Sequence, residues 1–435
     1  MTTVPSPGEP APAALPDHAP LVVRTVRLPP DTAAALLTLL PALPPTELSS
    51  WVRRGEGIVG WGRAAVFTTS GPDRFADAER WWGATAAAAV VRDEVGGGGT
   101  GPVAFGSFSY AADSPAGATL VVPEVIVGLR GTTAWLTTVA SGAGVPGTVT
   151  VRPTEAPPSP QDVAFADGAR SAAEWEGVVA EAVERINGGT LDKVVLARDL
   201  EADASEPIDA RWLLQRLGER YANTWVFAVD GLLGATPELL VRLERGLVTS
   251  RVLAGTIRRT GDDDHDLALA GSLARSSKDL EEHEYAVRSV AEALRPHCSS
   301  MNVSESPFVL HLTNVMHLAT DVAGVLSDHT TSLGLAASLH PSAAVCGTPT
   351  AVADALITEL EGMDRGRYAG PVGWLDASGD GEWGIALRCA AYDPTDARRL
   401  RLYAGCGIVA GSDPEAEVAE SDAKLVPMRD ALSAS

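Results

Sequence analysis

The chain has 435 residues, a 45% hydrophobic fraction and a formal net charge of −22. That supplies a sizeable core, and the length fits two or three average domains or one compact enzyme. The charge argues against nucleic acid and anionic membranes as partners, and an anionic small molecule would need a local island of lysine, arginine or metal ion.

Residues 1–20 are rich in Pro and Ala, with neither a basic start nor an apolar stretch, which predicts a disordered leader and not a signal peptide. Strand-like runs follow at 22–28, 102–110 and 119–139, interrupted by a flexible glycine loop at Gly96–Gly101. Residues 21–152 are read as an N-terminal α/β portion, and the Pro-rich stretch within 153–169 as a surface crossing of the same globule. Helical periodicity marks 172–187, 207–219, 277–297, 350–362 and 414–432. Further strands are expected at 193–202, 224–233, 238–256, 367–376, 381–393 and 399–410. Strands that succeed one another directly favour hairpin-linked antiparallel sheets with helices outside, an α+β arrangement, over a doubly wound parallel sheet. The acidic run 261–266 reads as an exposed turn. Cys298, Cys346, Cys389 and Cys406 have no zinc-ligand spacing, so buried, reduced thiols in a cytoplasmic protein are expected. No apolar stretch is long enough to span a bilayer.

The chemistry-bearing residues lie within 170–432. Only Lys193, Lys278 and Lys424 are lysines among 34 basic residues. A lysine differs from arginine in that burial can bring it to a proton-accepting state near neutral pH. Asp279 and Glu282 are three apart on one predicted helix, and Glu417 and Glu420 on another, with Lys424 one turn further. Two such pairs make a hard oxygen-ligand set suited to Mg²⁺, although each alone also fits a solvated helix face. Asp413-Pro414 opens the second helix, with Ser412 or Asp413 as cap. Glu238, between a turn and an apolar strand, has the setting of a general acid or of a turn cap. Gly255 and Gly407 stand where strands end and could turn backbone N–H groups toward a carboxylate, or simply turn the chain. Arg388, in the apolar run Gly384–Ala390, requires a carboxylate from the protein or a ligand. No P-loop, dinucleotide fingerprint or Ser-His-Asp elbow is present.

Taken in order, Leu191–Arg198, Gly234–Leu240, Leu253–Thr256, Lys278–Glu284, His317–Thr320, Leu339–Gly347, Tyr368–Trp374, Ala386–Arg388 and Ala404–Lys424 resemble the chorismate-utilising enzymes, and most closely the isochorismate synthases. The resemblance implies one large antiparallel β-sandwich enclosed by helices. It implies Lys193 as the base that activates water toward ring carbon C2, and Glu238 as the acid that protonates the departing C4 hydroxyl. Glu282 and Glu420 would hold Mg²⁺, with Asp279 and Glu417 behind them. Arg388 and Tyr368, with the Gly407-Ile408 backbone, would meet the pyruvyl-side carboxylate. Gly255, Thr256, His317, Ala344 and Lys424 would complete the substrate wall. Ala386, where salicylate and anthranilate synthases tend to carry threonine, and Ser342-Ala343 after His340-Pro341 incline the resemblance toward isochorismate, made without a glutaminase subunit. A monomer is expected, and a product used for menaquinone or a catecholate siderophore, with menaquinone preferred. Salicylate, anthranilate or aminodeoxychorismate synthesis is the alternative, and a non-catalytic chorismate-binding protein the remote one.

Overall fold

Consecutive apolar runs pair as hairpins, and in the computed structural model they build two sheets, of 13 and 10 strands among the described residues. The structure describes residues 19–142, 144, 146–313 and 315–433, without the side chain of Lys278; the leader expected at 1–20 falls, through residue 18, outside them. Among the described residues all strand pairings are antiparallel except that of Leu21–Leu28 with Val90–Asp93. The apolar inner faces of the two sheets pack together, with Trp383, Phe105, Phe108 and Phe227 fully buried, and helices cover the outside. The fold is therefore α+β, as expected. Strands from residues 21–141 enter both sheets.

Several elements differ from the sequence expectation. The 261–266 run is not a turn: Asp262 caps the helix Asp263–Leu273 by accepting from the His265 N–H at 2.8 Å. Acids at that end suit the helix dipole, and Asp266 is buried against Arg259 at 2.8 Å. The helix expected to reach 297 stops at Leu294, because Pro296 permits only a 3₁₀ turn at Arg295–His297. The 224–233 run is interrupted by a turn between Trp225–Val229 and Leu232–Thr236. The strands of 48–69, the Arg74–Ala88 helix, the 298–326 strands and the Ser332–Leu339 helix were not anticipated.

The decisive departure concerns two short segments. Leu232–Thr236 lies in the larger sheet and Leu239–Glu244 in the smaller, so Pro237-Glu238 crosses between them. Gly381–Ile385 lies in the smaller sheet and Cys389–Tyr392 in the larger, so 386–388 crosses beside it in the opposite direction. Arg388 is thus not within a strand. It adopts φ +49°, a left-handed conformation that is uncommon for a side-chain-bearing residue and frequent at functional sites. The crossings are stitched together by Ala235 N–H donating to Arg388 O at 3.1 Å and Ile385 N–H to Glu238 O at 3.3 Å.

One buried ion pair braces the wall of this junction. Glu361 accepts from Arg365 Nε at 2.9 Å and from Ala197 N–H at 2.7 Å; Arg365 also donates to Val345 O and Val195 O at 2.8 and 2.7 Å. Removing one partner of such a pair strands a charge away from water. Glu361→Ala is therefore expected to cost about 3–5 kcal/mol of stability, read as a lowered urea midpoint, and an unchanged midpoint would contradict the bracing role.

Candidate active site

The cleft at the crossings is walled by Glu238, Gly255, Thr256, Glu282, His317, Ala344, Tyr368, Arg388, Gly407, Glu420 and Lys424. Eleven residues singled out from the sequence thus share one cleft, although they span nearly 190 positions. Lys193 lies just behind it, fully buried, its Nζ 3.1 Å from Glu282 Oε1. Asp279, Glu417 and Ile408 lie off the wall, and the Ile408 side chain belongs to the core.

Local structure explains each placement. Lys193 opens the strand Lys193–Asp203, which pairs with Arg399–Val409 so that Val195 faces Gly407 across the ladder. Gly407 does not end its strand, as expected, but makes room within it: a Cβ there would sit 2.4 Å from Glu282 Oε1 and 3.1 Å from Lys193 Cε. Gly255 likewise lies inside a strand, at φ +75°, on a bulge that sets Thr256 opposite His317. Thr256 Oγ1 is 3.1 Å from His317 Nδ1, and Arg388 Nη2 is 3.4 Å from His317 Nε2. Arginine can only donate, so Nε2 accepts and Nδ1 carries the proton. Burial, with Arg388 and Lys424 nearby, holds the His317 pKa well below the usual histidine range, consistent with a neutral ring. Asp413, not Ser412, caps the last helix by accepting from Ala416 N–H at 2.9 Å.

The electrostatics divide the acids by role. Burial pushes the Glu238 carboxyl up to about 8, despite the attraction of Lys193 and a hydrogen bond from Leu253 N–H. Burial opposes the charge on Lys424, but the Glu420 carboxylate outweighs it and holds that ammonium above the lysine range. Lys424 Nζ bonds Glu420 Oε1 at 2.6 Å and Gly405 O at 2.8 Å. Burial also pushes the Cys406 thiol well up, and Glu420, Glu417 and Glu282 add to the rise. Three carboxylates thus crowd about one buried neutral sulfur; atoms of Cys406, Glu417 and Glu420 lie within 4.8 Å of one another. Oxygen-rich and anionic, this donor set fits a hard divalent ion.

Reasoning from sequence alone did not anticipate Arg365, Tyr403, Val195, Leu253, Val345 or Leu387 in the wall. Tyr403 stacks on Tyr368 with centroids 5.0 Å apart. Their neighbours in sequence carried the signal, as with Tyr403 beside Ala404, but strand alternation alone does not say which face is lined.

A cleft of this composition suits an enzyme working by acid–base chemistry on a small anionic substrate. The family model described as chorismate binding enzyme matches residues 49–433, and the chain belongs to that family. It is 42% identical over 271 residues to the isochorismate synthase DhbC of Bacillus subtilis, covering 60% of this chain and 67% of that protein. Over 278 residues it is 40% identical to the salicylate biosynthesis isochorismate synthase of Pseudomonas aeruginosa, 62% of this chain but only 58% of that one. The structure of MenF, the menaquinone-specific isochorismate synthase from Escherichia coli, aligns with a TM-score of 0.77 at 25% identity over 96% of both chains.

Gly407→Ala is expected to leave the melting temperature within a few degrees while dislodging the Glu282 carboxylate. Calorimetry should read that as a loss of about tenfold or more in affinity for a divalent cation.

Proposed function

We propose that the protein is an isochorismate synthase, an isomerase that adds water at C2 of chorismate and expels the C4 hydroxyl as water. The observation that carries this reading is the buried Glu238 in the cleft wall, its carboxyl pushed up to about 8 by burial, with the buried Lys193 just behind that wall against Glu282. Lys193 takes a proton from the attacking water as its oxygen bonds to C2. The ring double bonds shift, and Glu238 gives its proton to the leaving oxygen at C4. Water in and water out balance, and the proton on Lys193 returns to Glu238 through solvent. Arg388, set by its bond to neutral His317, receives the pyruvyl-side carboxylate with Tyr368 and the Gly407-Ile408 backbone. Gly255, Thr256 and Ala344 shape the ring's surroundings, and Lys424 adds positive charge near the acids. Glu282 and Glu420 would hold Mg²⁺, with Asp279 and Glu417 behind; when bound, the ion supplies the charge that clamps the ring carboxylate. Residues 21–152 complete the sheets, while 170–432 carry the chemistry without a glutaminase subunit. The product serves menaquinone or a catecholate siderophore. Among the described residues no helix is long and apolar enough to cross a membrane.

Purified protein with chorismate and Mg²⁺ is expected to yield isochorismate; salicylate, or anthranilate with ammonium, would select a relative's activity instead. Lys193→Ala should lower kcat about 10²–10⁴-fold with little change in chorismate binding. Because burial raises the Glu238 pKa, its acid form predominates below about pH 8 and is lost above it. kcat/KM should therefore fall tenfold per unit above that point, and a profile flat through pH 9 would refute the acid assignment.

A further inference from the structure

The helix Ser277–Leu294 turns Ala286, Val290 and Leu294 into the core as one stripe, and His283 heads that stripe at 2% exposure. A leucine would fill such a position readily, whereas a polar side chain there must have its hydrogen bonds made. Both ring nitrogens are answered. Nδ1 lies 3.3 Å from Ala254 O, and Nε2 lies 2.7 Å from Thr320 Oγ1. Burial beside two uncharged partners disfavours a charged ring. A carbonyl only accepts, so Nδ1 carries the proton and Nε2 accepts from the Thr320 hydroxyl.

These two bonds join three elements that meet at the cleft. Ala254 stands just before the Gly255 bulge, where the strand Leu247–Arg258 runs close under the helix. A Cβ at 255 would lie 3.0 Å from Asp279 Cβ, so the approach is one that only glycine permits. Leu253, on the other side of Ala254, gives its N–H to Glu238. Thr320 lies in Val315–Leu326, the strand that also carries His317, and is itself buried. Glu282 precedes His283 on the helix and reaches Lys193 Nζ at 3.1 Å. His283 itself does not line the cleft, yet it ties the donor that holds Glu238 to the helix that presents Glu282.

We propose that His283 is a positioning residue for the reaction. By donating from Nδ1 to Ala254 O it fixes the Leu253–Gly255 segment against the helix, and so sets Glu238 and Glu282 relative to each other. This role rests on the isochorismate synthase reading for its chemistry, and on the two hydrogen bonds for its geometry.

The tautomer and a set of replacements test it. Nitrogen spectra of ¹⁵N-histidine-labelled protein, with His283→Leu identifying the signal, should show a neutral ring protonated at Nδ1. In His283→Asn the amide nitrogen takes the place of Nδ1, in His283→Gln that of Nε2, and His283→Leu retains neither. Calorimetry with Mg²⁺ alone should find affinity lowered about tenfold or more in the Leu and Gln variants, and within about threefold of native in the Asn variant. With chorismate, kcat should fall in the same order while KM changes less. A ring protonated at Nε2 or doubly protonated, equal losses in the Asn and Gln variants, or losses that simply follow the melting temperature would each overturn the assignment. The tautomer and the Mg²⁺ affinities are read without turnover, so a native protein that makes no isochorismate would sink the functional reading and leave these two results to judge His283.

Discussion

Two passages of the chain between the sheets, at 237–238 and 386–388, govern the arrangement of the whole site. A strand residue in a sandwich faces either the core or the outside, and its backbone groups are committed to the ladder. A residue at a crossing is free of that alternation. Glu238 and Arg388 are consequently buried at 6% and 7% exposure yet turned into a cleft. Hydrogen bonds between the two crossings fix them to each other, so the acid and the guanidinium are set by one junction.

Burial then decides protonation. Desolvation disfavours whichever form carries charge, and near Glu238 it outweighs the attraction of Lys193, leaving a neutral carboxyl that can donate. Lys424 shows the opposite balance, because the neighbouring Glu420 carboxylate outweighs its desolvation. Glu282 and Glu420 each rest against a lysine, at 3.1 and 2.6 Å. Within a strongly negative chain, two of the cleft's acids thereby each keep a cation in contact. Buried charges left unmatched would cost several kcal/mol each.

Much of the fold was legible in hydrophobic period. The 172–187 and 414–432 helices begin and end where expected, since each has a clear cap, Ser171 in a capping box and Asp413 before Pro414. The acidic 261–266 run misled because a cap followed by acids looks like a solvated turn until the buried Arg259–Asp266 pair is seen. The 381–393 run reads as a single strand because nothing in an apolar run marks where it leaves one sheet for another, and the 224–233 run because its strands are separated only by the tight turn at Asp230-Gly231 within the larger sheet.

Residue type and order alone determined the class of fold, the family and the set of candidate acids, lysines and arginine, because each depends on local pattern or on motif identity. Tertiary structure alone decided that burial raises the Glu238 carboxyl, that Lys193 stands behind Glu282, that Gly407 serves as space, and that Arg365 braces the wall. Those outcomes depend on burial and on contacts between segments far apart in the chain. Desolvation is a property of the surroundings, which no single stretch of residues contains.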